Sequence, residues 1–267
     1  MSDAQLPRPG TALVFAPAPT DDGRRVVVSA HGLTSSRADE DARGIFDWPA
    51  VDDVDAVLVR YDARGHGEST GRPEPADYAW TTLADDLLAL IDAVSPDAPV
   101  DAIGASMGTA TIVWAALRRP DRFRRLVLAI PPTAWQTRAA QVEGYLAAAS
   151  IAEQHGIDAF VEAMAEQPQA EILTAGGWAD EPTRPSVGID LLPSVLRGAA
   201  ISDLPDTAEV ARLRHPTLLL PWATDPGHPV STAQVLADAL PASTLEVAED
   251  PDAIRGWGRR AAEFLRS

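Results

Sequence analysis

The run Gly104-Ala105-Ser106-Met107-Gly108 holds a serine between two glycines at the spacing G-x-S-x-G. A serine hydroxyl attacks a carbonyl carbon well only when a base takes its proton and donors meet the oxyanion that forms. The flanking sequence supplies the setting for such a serine, with an apolar strand-like run before it and a helix-like run after it. Small residues two before and two after allow a tight turn. The serine then stands at a helix N-terminus, where backbone N–H groups and the helix dipole favour negative charge.

The base must come from five histidines: His31, His66, His155, His215 and His228. His228 closes Asp225-Pro226-Gly227-His228, with Pro and Gly where a type II turn wants them, a turn that brings its end Cα atoms within ~7 Å. A carboxylate at Asp225 would then orient the imidazole and favour the imidazolium that forms during attack. This reading expects kcat/KM to rise through one ionisation between about pH 5.5 and 7.5. His155 is a second candidate, in a helical region that could swing over Ser106. His215, before Pro216 at the start of a strand, reads as structural. A chain with no base at all, its chemistry lost or changed, stays open.

The elements that must hold these residues alternate in type. Residues 11–15 and 25–31 read as strands joined as an antiparallel hairpin through Thr20, Asp21, Asp22 and Gly23. Strands at 54–61, 99–104 and 124–130 alternate with helices at 78–94 and 107–118, a parallel βαβ series. Continuous apolar runs such as residues 126–130 and 218–220 suit strands buried on both faces. Residues 133–209 read as helices broken by prolines and glycines. A strand at 216–222, a helix at 231–240, a strand at 243–247 and a helix at 253–265 complete the chain.

On these motifs the chain resembles the α/β-hydrolase superfamily: His31-Gly32 after a strand, Asp62-Ala63-Arg64-Gly65-His66-Gly67-Glu68-Ser69 after the next, the G-x-S-x-G turn, and Asp225 after the seventh strand. The resemblance implies an α/β fold with a mostly parallel eight-stranded sheet, helices on both faces, and a helical lid inserted after the sixth strand. Residues 1–132 and 210–267 would form the core and residues 133–209 the lid. It also implies an oxyanion hole from the N–H groups of Leu33 and Met107, Asp225 as the triad acid, and His31 and His66 as loop-shaping residues. One element departs from the pattern. The family's histidine follows the eighth strand, whereas here residues 245–252 run Leu-Glu-Val-Ala-Glu-Asp-Pro-Asp into the last helix with no histidine.

Composition narrows what such a site could serve. The chain has 267 residues, 46% of them hydrophobic and 23% charged, the balance of a folded globular protein. With 39 acidic and 22 basic residues its net charge is −17, which opposes nucleic acid and anionic membranes as partners. The sequence has no lysine for a Schiff base or phosphate loop, and no cysteine for thiolate chemistry or disulfides. No cofactor or metal is expected. Glu249, Asp250 and Asp252 suit helix capping better than metal binding. No apolar run approaches the ~20 residues of a membrane span, and a cytoplasmic protein is expected.

The resulting expectation is a serine hydrolase acting on a small ester or thioester through an acyl-enzyme on Ser106, with amide or carbon–carbon cleavage using the same parts. Trp135, Trp222 and His155 are expected to line the substrate pocket. The alternative is a non-hydrolytic or degenerate relative, a lyase, cyclase, pseudoenzyme or binding protein, that keeps the pocket without turnover.

Overall fold

The computed structural model describes residues 3–16, 23–179 and 183–266. Its strands are β1 (Ala4–Arg8), β2 (Thr11–Ala16), β3 (Arg25–Ala30), β4 (Ala56–Tyr61), β5 (Val100–Ala105), β6 (Phe123–Ala129), β7 (Thr217–Leu220) and β8 (Ser243–Leu245). They form one eight-stranded sheet in the order β1-β2-β4-β3-β5-β6-β7-β8. β1–β2 and β2–β4 pair antiparallel, and every other pair is parallel.

Alternation along the strands makes two cores, since successive side chains leave opposite faces. On one face Val26, Val28, Val57, Val59, Ala102, Leu126, Leu128 and Leu219 pack with α2 (Trp80–Val94), α3 (Met107–Arg118) and α8 (Val230–Ala239). On the other, Val27, Leu58, Ile103, Val127, Leu218 and Leu220 meet a 3₁₀ segment, Trp48–Val54, together with α9 (Pro251–Arg255) and α10 (Trp257–Arg266). The runs at 126–130 and 218–220 are continuous in apolar character because both their faces are covered.

The hairpin expected between residues 11–15 and 25–31 does not form. β2 pairs instead with β1, through Leu6↔Leu13 and its neighbours, and with β4. Gly10, at φ 76°, makes the tight turn that joins β1 to β2. Of the residues assigned to the hairpin's turn, Thr20, Asp21 and Asp22 lie outside the described residues. The single helix expected at 78–94 is a 3₁₀ turn, Pro75–Tyr78, followed by α2, and the one expected at 253–265 is two helices, α9 and α10. Asp250 caps α9, accepting from Ala253 N–H at 2.9 Å.

Between β6 and β7 lie α4 (Arg138–Ala165), α5 (Glu171–Ala175), α6 (Leu192–Ala200) and α7 (Thr207–Val210). Gly156 breaks α4 with φ 84° and ψ −174°. α4 and α6 build a third apolar cluster around Ala149, Ala152, Phe160, Leu192, Val195 and Leu196, seated on Tyr78. Among the described residues no helix is long and apolar enough to cross a membrane.

Candidate active site

Ser106 sits between the end of β5 and the start of α3 at φ 53° and ψ −111°. A non-glycine residue held there is strained, and its surroundings hold it in place. Its N–H donates to Ala129 O of the neighbouring strand at 3.1 Å. The two glycines of the motif are required by space. A Cβ on Gly104 would lie 2.6 Å from the backbone of Gly108, and one on Gly108 would lie 2.0 Å from Ala30 O.

His228 Nε2 lies 2.8 Å from Ser106 Oγ, and His228 Nδ1 lies 2.7 Å from Asp225 Oδ2. These distances suit a neutral imidazole that donates from Nδ1 and accepts from the serine hydroxyl at Nε2. Asp225 Oδ2 also accepts from Trp222 Nε1 at 2.8 Å, and Oδ1 accepts from Gly227 N–H at 2.8 Å. Burial pushes the Asp225 carboxyl up, but the bonds and charge of His228, with the donors of Trp222 and Gly227, outweigh it and hold the group at about 2.

The turn carrying this pair is a β-turn, closed by His228 N–H to Asp225 O at 3.2 Å, but not the type II turn expected. Gly227 is absent from the residues with positive φ, which that turn requires at its third position. Glycine is favoured here by space, because a Cβ would press to 3.2 Å from Asp225 Oδ1. The carboxylate folds back over the Gly227 N–H and fills the room a side chain would need.

The loop after β3 runs beside the nucleophile, where a Cβ on Gly32 would lie 3.6 Å from Ser106 Cβ. It carries Leu33. Met107 opens α3, so its N–H has no intrahelical acceptor. His31 and His66 are buried against each other, with ring centroids 5.2 Å apart. His31 Nδ1 bonds Gly32 O at 2.8 Å and its Nε2 accepts from Ala63 N–H at 2.9 Å, clamping the loops after β3 and β4 together. Burial pushes both histidines down, His66 to about 3. His215 bonds Pro120 O at 2.8 Å.

A cavity of about 150 Å³ opens at Ser106 and His228. Its lining includes the apolar Ile45, Phe46, Ile130 and Trp222, and, from α1 (Arg37–Arg43) and the residues before it, Ser35, Asp39, Glu40 and Arg43. Of the three residues expected to line the pocket, only Trp222 does. Trp135 lines a separate cavity with Thr207, Thr232 and Val235, and its indole N–H is tied to Pro205 O at 3.0 Å. His155 is exposed on α4 beside the break at Gly156 and lines neither this cavity nor its neighbour under α4. Glu40 and Phe46 are not legible as site residues in the sequence, because α1 spans only seven residues with little apolar periodicity and Phe46 lies in the loop beyond it. Its N-cap Ser36, which accepts from Asp39 N–H at 3.1 Å, is the signal that marks the helix.

The fold and the strand–serine–helix turn are those of the α/β-hydrolases. Residues 25–154 match the model of the family described as the alpha/beta hydrolase fold. The chain is 28% identical over 199 residues to 3-oxoadipate enol-lactonase 2 of Acinetobacter baylyi, a match covering 72% of this chain and 70% of that one. A hydrolase from Pseudomonas aeruginosa PA01 superposes with a TM-score of 0.79 at 21% identity, covering 99% of this chain and 98% of that one. The enol-lactonase of Burkholderia xenovorans LB400 gives 0.76 at 21% identity, covering 96% and 97%. The sequence pattern of that family thus runs through residues 25–154, and the chain has the α/β-hydrolase fold.

Proposed function

We propose that this α/β-fold hydrolase cleaves small carboxylic esters, linear or cyclic, through an acyl-enzyme on Ser106. The observation that carries the reading is the unbroken chain from Ser106 Oγ to His228 Nε2 at 2.8 Å and from His228 Nδ1 to Asp225 Oδ2 at 2.7 Å. Ser106 Oγ attacks the carbonyl carbon as its proton passes to His228, and Asp225 holds the imidazolium. The oxyanion forms beside the N–H groups of Leu33 and Met107. The C–O bond then breaks, the alcohol leaves with the proton from His228, and water repeats the sequence to release the acid. Residues 133–209 serve as the lid.

The reading of a protein without turnover draws on the missing histidine beyond β8. With His228 within hydrogen-bonding distance of Ser106, no observation favours it. The preference for esters over amides follows from the relative's name, since a lactone is a cyclic ester. Thioesters would use the same steps. The test is a fluorophosphonate probe followed by peptide mapping. Rapid labelling of Ser106, abolished in Ser106→Ala and slowed in His228→Ala, is the expected result. A wild-type protein that labels no faster than Ser106→Ala would overturn the proposal. A panel of lactones, linear esters and amides then sets the substrate class.

A further inference from the structure

The cavity at Ser106 contains a carboxyl group that the hydrolytic steps do not use. Glu40 lines it, yet the residue is only 8% exposed. Its Oε2 accepts from Arg60 Nη2 at 3.3 Å, while the same guanidinium makes shorter bonds to Asp41 at 2.6 Å and to Arg37 O at 2.7 Å. The second oxygen of Glu40 has no hydrogen-bond partner among the described residues. Glu40 shares the lining of the cavity with the apolar side chains of Ile45, Phe46, Ile130 and Trp222.

Size and chemistry together describe what fits. A cavity of about 150 Å³ is the size that admits a benzene ring. The wall of Phe46 and Trp222, whose rings stack at 6.0 Å and 16°, suits a flat apolar body. In the same cavity Glu40 is a hydrogen-bonding group of variable protonation. Burial raises its carboxyl to about 7 against the pull of Arg60, so the acid and the carboxylate are both accessible forms. A hydroxyl can meet either form, because it both donates and accepts. A carboxylate substituent would be repelled by Asp39 and by ionised Glu40, although Arg43 in the same lining could attract it.

We propose that Glu40 is a specificity-determining residue, selecting for the part of the substrate that enters this cavity a ring-sized apolar group carrying a hydroxyl. The proposal rests on Ser106 being the nucleophile, since that fixes which end of the substrate lies beside the cavity.

Arylboronic acids separate the two ideas. Ser106 Oγ adds to boron, a B–O bond forms, the serine proton passes to His228 and no bond to the aryl ring breaks. The aryl group has no leaving group to compete for the cavity. Inhibition constants would be measured for phenyl-, 3-methylphenyl-, 3-hydroxyphenyl- and 3-carboxyphenylboronic acid on wild type, Glu40→Gln and Glu40→Leu, with thermal melting to establish that each variant folds. The expected result is that wild type binds the 3-hydroxy compound about tenfold tighter than its 3-methyl counterpart, the worth of one net hydrogen bond. Glu40→Leu should reverse that order, and Glu40→Gln should keep part of the preference. A hydroxy-to-methyl ratio that is the same in wild type and Glu40→Leu overturns the proposal. So does tightest binding of the 3-carboxy compound, which would assign selectivity to Arg43. If no boronic acid binds wild type better than Ser106→Ala, the nucleophile reading itself has failed and the proposal falls with it. If Glu40→Leu does not fold, the ratio in Glu40→Gln decides, and a ratio equal to wild type counts against Glu40.

Discussion

Asp225 and His228 are bonded to each other twice within one turn, Oδ2 to Nδ1 at 2.7 Å and backbone O to backbone N–H at 3.2 Å. The proposed acid and base are therefore carried by one closed turn, and the imidazole can rotate away from the carboxylate only by breaking the Nδ1–Oδ2 bond. Trp222 Nε1, at 2.8 Å from the same Oδ2, fixes the carboxylate from the end of β7. A histidine three residues after the acid thus reaches Ser106 without a histidine after β8.

Asp225→Asn should lower kcat by about 10⁴-fold, because an amide nitrogen facing Nδ1 favours the wrong imidazole tautomer. The same change bears on stability. The folded carboxyl is held at about 2, below the ~3.9 of an unfolded aspartate, so its contribution is present above the unfolded value and is lost as pH falls toward 2. Melting temperatures of wild type and variant should therefore differ most at neutral pH and converge between about pH 4 and 2. Parallel curves across that range would mean the carboxylate has no special partner.

Ser106→Ala should remove turnover by on the order of 10⁶-fold and leave the fold intact, since one hydroxyl is lost from a tight turn whose geometry depends on Gly104 and Gly108. His228→Ala should lose a similar amount. His155→Ala should leave turnover unchanged, because that histidine is exposed on α4 and outside the cavity. Retention of wild-type turnover in Ser106→Ala would take this serine out of the reaction.

Much of this site is legible in the sequence, for identifiable reasons. The turn at Ser106 is fixed by glycines that no other residue can replace, and such steric necessity shows as a motif. His228 is found because three-residue spacing is local. What fails is what depends on distant partners. Nothing in residues 11–15 says whether they pair with β3 or with β1, because the apolar run Ala12-Leu13-Val14-Phe15 fits beside either neighbour. Trp135 lies only a few residues beyond β6, yet its N–H bonds to Asp203 and its indole N–H to Pro205 draw it to a separate cavity. Glu40 stays hidden because an acidic residue on a short helix ordinarily faces water, and only the packed structure buries it.

Burial of Glu40 has a measurable consequence for stability. Its carboxyl is raised to about 7 in the folded protein against ~4.3 when unfolded, so between these values the folded state binds more protons. Stability contributed by this group therefore falls as pH rises from about 4.5 to 7 and is flat above. Glu40→Gln, which cannot ionise, should be more stable than wild type at pH 8, and the gap should shrink at pH 5. A gap that is equal at both pH values would show that Glu40 ionises as an ordinary surface glutamate does.

Residues 133–209 are proposed to cover the site, and their packing predicts how they open. The start of α4 is anchored to the core by Arg138, whose guanidinium lies 4.3 Å from the Trp80 ring, while its Nε donates to Ser202 O of the same segment at 2.8 Å. Beyond it, α4 and α6 pack on each other, and the cluster meets the rest of the chain at Tyr78 and Leu33 and through the bridge between Val187 and His66. The break at Gly156 divides α4, and Leu146 and Ile189 expose apolar side chains at 46% and 43%. A helical pair that buries its own small core opens at lower free energy than a central sheet packed on both faces. Brief digestion with thermolysin, which cuts before apolar residues, should therefore make its first cuts within residues 139–200 and leave the β3–β6 core as a resistant fragment. A boronic acid bound at Ser106 should slow those cuts, since Leu33 touches both the cavity and the helical cluster. First cuts in the connections between strands and helices of the sheet, at a rate indifferent to the inhibitor, would show that residues 133–209 are a fixed part of the core.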